Sequence, residues 1–292
     1  MRIEHQTLLE IINRAPGFGR PPHRIDLDKE VRDLRNRIAN QAELHIQPWT
    51  TLLNESIQFF IHFEKFQYIK PLSSNAMSFS VVISKLKRDL ISIRELLLIG
   101  QDTTSLVLAR TFVEDLEIAM AFALDPALCE SYASNNDQAD FWNKNIGYGR
   151  VYEKVESFLT ACGATTEHVT AAVQKHREFK KFCSGSTHGG RTASLRSAFT
   201  PSLLDSDVFH HLSLGALSED TPRLCLFLAQ ESQMFAGSVV RNCISKKPLH
   251  LFSSYQPSAE LFDAFASAYV LQELVVRYGD ELLAIQSKSA YA

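Results

Sequence analysis

"SLVLARTFVEDLEIAMAFAL", residues 105–124, is the stretch on which the fold turns. Placed on a wheel at about 100° per residue, Leu106, Leu108, Phe112, Val113, Leu116, Ile118, Met120, Phe122 and Leu124 cover almost the whole circumference. A helix that is apolar nearly all round belongs at the centre of a bundle. It does not read as a membrane span, because Arg110, Glu114, Asp115 and Glu117 lie near its middle. Arg110, Glu114 and Glu117 share one narrow sector with Ala121, and Asp115 points elsewhere. Charges on a buried stripe are costly unless paired and hydrogen-bonded. Arg110 and Glu114, spaced i, i+4, can meet, although Arg before Glu is the order that does less for the helix. Two readings stay open. One is a structural ion pair that fixes helix register. The other is a polar pocket between helices, in which Arg110 binds an anion and a glutamate positions or moves a proton.

Outward from this segment, nearly every long stretch has the helical period, and no run of alternating β-branched residues stands out. A short helix is expected from about 4 to 14, before "APGFGRPPHR", whose prolines and glycines make a linker. Asp26 or Asp28 can cap a helix ending near Gln47, and Pro48 kinks it or opens the next, to about Tyr68. Further helices are expected at about 75–99, 103–124, 137–146, 148–162, 167–183, 222–245 and 258–286, with a short one after Pro126. Gly100 is a natural stop, and Asp102, Thr165 or Thr166, and Thr221 are natural N-caps. Residues 184–220, rich in Ser, Thr and Gly, read as a long connection. The expected architecture is all-α: a multi-helix bundle of long helices with a loop-rich insert near 184–220. Residues 1–24 form an N-terminal arm, and 25–292 a single helical domain.

The chain's 292 residues are 45% hydrophobic and 22% charged, enough to build a sizeable core, and its net charge of −3 speaks against a globally basic nucleic-acid binder. The five cysteines are odd in number and irregularly spaced, without a C-x-x-C. Neither a disulfide framework nor a structural zinc site is expected, and reduced thiols fit a cytoplasmic protein. The opening "MRIEHQTLLEII", with Arg2 and Glu4 and only a short apolar run, is not expected to act as a signal peptide. Di-iron bundles need Glu-x-x-His on two helices, a motif this sequence lacks, so no metal and no cofactor are expected.

A second stretch, "FCSGSTHGGR" at 182–191, raises the question of function. Between 175 and 196, Lys175, Arg177, Lys180, Lys181, Arg191 and Arg196 are opposed by Glu178 alone. Lysines near a helix C-terminus complement its dipole, and they also make a local patch that a phosphate-bearing partner would meet. Gly189-Gly190 lets the chain turn sharply after His188, and such a turn can aim an imidazole into a cleft as a general acid or base. A surface loop histidine without a role is the plainer reading. His210-His211 reads as ordinary, and Cys183 has no base partner identifiable in the sequence.

"LARTFVEDLEIAMAF", followed about 70 residues later by "FCSGSTHGG", resembles a group of uncharacterised bacterial helical proteins. These carry Arg-x-x-x-Glu on a central helix and a Ser-x-x-x-His-Gly element after a later one, and are similar in general look to HEPN-type domains. Many HEPN domains are ribonucleases of prokaryotic defence and toxin–antitoxin systems. Typical HEPN nucleases place Arg and His on one helix, a pair this chain lacks, so Arg110 and His188 would have to meet in space. The resemblance implies a metal-independent ribonuclease or related phosphoryl-transfer protein. Arg110 would hold the phosphate, His188 move a proton and Glu114 orient either, with Lys180, Lys181, Ser184 and Arg191 binding RNA or another phosphate-bearing ligand. The alternative is a non-catalytic interaction or regulatory module, built on a structural Arg–Glu pair and open to a protein partner. The protein is expected to be a homo-oligomer without a membrane role.

Overall fold

A computed structural model of the chain describes residues 26–68, 74–135, 137–187, 199–201, 209–211, 215–245, 249–252 and 257–289. Among them are ten α-helices: α1 (Leu27–His45), α2 (Gln47–Gln67), α3 (Ser74–Leu97), α4 (Asp102–Leu124), α5 (Pro126–Ser134), α6 (Gln138–Asn145), α7 (Tyr152–Ala161), α8 (Thr166–Thr187), α9 (Asp220–Cys243) and α10 (Ala259–Ser289). The all-α bundle is therefore as expected. The N-terminal arm lies outside the described residues.

Local chemistry sets the helix ends. Asp26 accepts from the Lys29 amide to open α1, and Asp125 from the Leu128 amide to open α5, with Pro126 in the first turn. α4 is the central element. It packs against α3, α5, α7, α8 and α9, and Phe112, Val113, Leu116, Ala119 and Met120 are fully buried. Around it an apolar core runs from Leu34 in α1 to Leu282 in α10, with Phe59, Phe60, Phe63, Phe79, Phe112 and Phe235 at its heart. The Phe60 ring stacks on Phe235 at 6.0 Å and meets Phe112 edge-on at 6.1 Å. These aromatic contacts tie α2, α4 and α9 together.

Two expectations are corrected. α8 extends past the expected boundary at 183, through Ser184 and Gly185 to Thr187; the hydroxyl of Ser184 donates to the Lys180 carbonyl one turn back. Phe199–Pro201 and Phe209–His211 pair as two short antiparallel strands, with Thr200 opposite His210, and this one pair leaves the all-α class as expected. Asp102 and Thr221 do not serve as N-caps. Each lies inside the first turn of its helix, and both are buried. The Asp102 carboxylate accepts from the hydroxyls of Ser218 and of Thr221, the latter at 2.7 Å, and so joins the start of α4 to the start of α9.

Beside that joint the chain crosses itself. The Ala216 amide donates to the Gly100 carbonyl at 3.1 Å, and Gly100 has φ +69°. A Cβ on Gly100 would come within 2.2 Å of the Ala216 nitrogen, and one on Gly215 within 2.1 Å of the Ile99 carbonyl oxygen. Both positions need glycine for this approach.

Candidate functional site

α4 and α8 run antiparallel along a polar seam that continues through the core to α9. Its residues follow from helical spacing: Arg110, Glu114 and Glu117 on α4 face His176, Lys180 and Ser184 on α8, each trio spanning about two turns. At one end the Arg110 guanidinium donates from Nε to Glu114 Oε1 at 3.2 Å and from Nη1 to Ser184 Oγ at 3.0 Å. The two sequence elements, 74 residues apart, thus meet. Arg110 and Glu114 were expected on a buried stripe. Their side chains are in fact 25% and 24% exposed, so this end of the seam opens to solvent.

The inner end is closed. His176 is fully buried between two carboxylates, with Nδ1 3.1 Å from Glu117 Oε1 and Nε2 2.7 Å from Glu231 Oε2. Burial alone would depress the imidazole, but Glu117 and Glu231 outweigh it and hold the pKa up to about 9. His176 is therefore an imidazolium at neutral pH, donating from both nitrogens. Lys180 Nζ reaches the other oxygen of Glu117 at 2.7 Å, and Lys175 Nζ the other oxygen of Glu231 at 2.9 Å. Burial works against ionisation of Glu231 too, yet His176 and Lys175 bring its pKa below the usual carboxylate value. Five charged groups, three positive and two negative, thus satisfy one another across three helices.

Aromatic rings line the flanks. Lys180 Nζ and the Arg177 guanidinium lie 4.6 and 4.5 Å from the centre of the Tyr152 ring, and Lys175 Nζ lies 4.9 Å from that of Phe227. Phe227 in turn stacks on Phe179 at 3.6 Å. Phe179 and Phe227 border a cleft of about 450 Å³ between α8 and α9, which Leu106 and Leu224 also line. The cleft is mainly apolar, with Lys175, Asp220, Arg223 and Gln230 among its lining residues.

The structure places the expected site residues unequally. Arg110, Glu114 and Ser184 come together. Lys180 faces inward with its charge committed to Glu117, whereas Lys181 is exposed on α8. Glu117 takes its cations from His176 and Lys180 rather than from Arg110. His188 and Arg191 lie outside the described residues. Cys183 is buried, and burial pushes its thiol up to about 12, which leaves it protonated and a poor nucleophile. Among the described residues, no group of three or more His, Cys, Asp or Glu could hold a metal ion, and no helix is long and apolar enough to cross a membrane.

His176 and Glu231 are the two members that sequence reasoning missed. His176 shares its helix face with the buried Val169, Val173 and Cys183, and Glu231 lies three residues after Leu228 and four before Phe235. A charged side chain on an otherwise apolar face was the available signal in both cases. Comparisons with protein-family models, with curated proteins and with solved structures find no match for this chain.

Proposed function

We propose that this chain is a helical phosphate-binding module whose ligand is a phosphate-bearing polymer, RNA first among them, held at the open end of the α4–α8 seam. The observation that carries the reading is the meeting of Arg110 with Ser184 in a solvent-open position. A guanidinium offers five donors in a planar fork, of which Glu114 and Ser184 occupy two. The donors that remain match phosphate oxygens. The Ser184 hydroxyl adds a further polar group, and the exposed Arg177 and Lys181 extend positive charge along α8. The inner network, centred on the buried His176, supplies rigidity. It pins α4, α8 and α9 in register, so that the binding groups on two helices hold a constant separation.

Cleavage of the bound RNA is a second reading, favoured by the same contact, since Arg110 and Ser184 belong to the two elements of the HEPN-like resemblance. In that reading Arg110 holds the scissile phosphate and His188 moves the proton.

One experiment addresses both. Fluorescence anisotropy with a labelled single-stranded RNA should show binding that weakens as salt rises. The double variant Arg110→Ala, Lys181→Glu should bind about tenfold more weakly or worse, with a shallower salt dependence, because fewer counterions are released. Equal affinity and an equal salt slope in the double variant would remove the binding reading. Incubation of the same RNA with EDTA tests cleavage: intact RNA under wild-type protein that binds it leaves a binding module, and cleavage that His188→Ala abolishes supports the nuclease.

A further inference from the structure

The turn between α6 and α7 holds an aromatic side chain out in solvent with its backbone under strain. Tyr148 has φ +57° and ψ +24°, the left-handed region that disfavours any residue with a Cβ. Burial does not offset that strain, because the residue is 83% exposed. The turn is nevertheless firmly built. The Trp142 ring lies so close to its backbone that a Cβ on Gly147 would fall 2.5 Å from the indole, and the rings of Trp142 and Tyr148 meet edge to face at 5.9 Å. Arg150 donates to the carbonyls of Asn143 at 2.6 Å and of Gly147 at 3.4 Å, and its guanidinium lies 5.5 Å from the centre of the Tyr148 ring. A strained but well-supported residue that presents its side chain outward points to a ligand that takes that side chain up.

Charge and position say which ligand. A Cβ on Gly149 would lie 3.3 Å from the Tyr152 ring, so the turn abuts the ring that carries Arg177 and Lys180. Arg177, Lys181 and Ser184 share one face of α8, and Ser184 meets Arg110. The strip from Tyr148 to Arg110 thus includes Arg150, Arg177 and Lys181, exposed cations that no carboxylate pairs among the described residues. Of the neighbouring acids, Glu153 and Glu178 point about 100° away from Tyr152 and Arg177 on their helices. Glu156 stays near the line, so cations exceed acids along it although the chain as a whole carries −3. Exposed cations beside an open aromatic face match a chain of phosphates and flat bases.

We propose that Tyr148, flanked by Trp142 and Arg150, is a stacking platform for an unpaired nucleobase, so that the polymer held at the α4–α8 seam is single-stranded RNA; this rests on the phosphate-binding reading above. A base inside a duplex is stacked on its neighbours and offers no face to a side chain, whereas an unpaired base can lie on the phenol ring or the guanidinium plane. The strand's phosphates then run along Arg177 and Lys181 toward Arg110.

Fluorescence anisotropy with a labelled oligoadenylate of about ten nucleotides, and with the same strand annealed to its complement, tests this. Tyr148→Gly should weaken single-strand binding about tenfold and leave duplex binding unchanged. Its salt dependence should stay that of the wild type, because stacking releases no counterions. It should melt no lower than the wild type, since glycine adopts this backbone conformation without strain, so the lost affinity is not a folding defect. Tyr148→Phe should bind like the wild type. Tyr148→Leu, which keeps apolar bulk without a π face, should bind like Tyr148→Gly. A wild type that binds no oligoadenylate sinks the phosphate-binding reading and the platform together. Binding that the Arg110→Ala, Lys181→Glu double variant loses but Tyr148→Gly retains overturns the platform alone, and leaves that aromatic surface to a protein partner. An equal loss on the duplex, or full single-strand binding by Tyr148→Leu, overturns the platform as well.

Discussion

With both ring nitrogens donating to carboxylates, His176 carries a positive charge that no solvent reaches. Its charged form is stabilised in the folded state, where its pKa is about 9 against an unfolded value near 6.5. The contribution to stability is therefore complete below pH 6.5 and is lost as pH rises through 9. Linkage puts that loss on the order of 3 kcal/mol. Glu231 acts in the opposite direction: its pKa is lowered, so its contribution is present above the ordinary glutamate range and lost on acidification. Denaturant titrations between pH 6 and 9.5 should show wild-type stability falling with pH, and His176→Ala should be both less stable by about 3–5 kcal/mol at pH 6.5 and nearly flat across the interval. A wild type as stable at pH 9.5 as at pH 6.5 would mean that His176 is not held as a cation. Arg110→Ala should cost only about 1 kcal/mol, because its partner Glu114 keeps access to water.

At the scale of the element, α8 carries two adjacent lysines with opposite duties. Lys180 lies against Glu117 in a pocket roofed by Tyr152, and Lys181 extends into solvent. Reversing the first charge sets two carboxylates together where little water enters, so Lys180→Glu should destabilise by about 3 kcal/mol or more. Lys181→Glu should change stability by no more than about 0.5 kcal/mol. Equal melting temperatures for the two variants would contradict the inward orientation of Lys180. This division was not legible in the sequence, where both lysines fit a helix C-terminus and a basic patch equally well. The 3.6-residue period marks α4 as central and shows Arg110 able to reach Glu114, because both facts are local to one helix. Which cation serves Glu117 depends on a register between helices some 60 residues apart, and periodicity within a helix carries no information about that. The breadth of apolar residues around α4 also overstated the burial of Arg110 and Glu114, since one edge of a central helix can still border solvent. The extension of α8 past Gly185 escaped notice for a related reason: a glycine near a helix end reads as a stop, yet tertiary contacts such as Arg110 with Ser184 continue the helix beyond it.

Across the whole molecule, the helical class and most element boundaries were readable from composition, caps and period. The long-range joints were not. Asp102 illustrates this: its position before an apolar run suggests a local cap, whereas its carboxylate is used on Ser218 and Thr221, well over a hundred residues away. The same joint has a consequence in time. Neighbouring helices such as α2, α3 and α4 can dock after closing short loops, but joining the start of α4 to the start of α9 requires the whole intervening chain to be gathered in, at an entropic cost recovered only once that contact exists. The Gly100–Gly215 crossing admits no side chain between the strands of chain that it brings together, so it cannot form approximately and be corrected later. The expectation is that it forms in the last stage of folding. Thr221→Val, which removes one of the hydroxyls on Asp102, should therefore accelerate unfolding in stopped-flow experiments while leaving the refolding rate within about twofold of wild type. A refolding rate slowed in proportion to the lost stability would place the joint in the folding nucleus instead. If it forms last, the starts of α4 and α9 are locked together only after the three-helix charge network beside them is already in place.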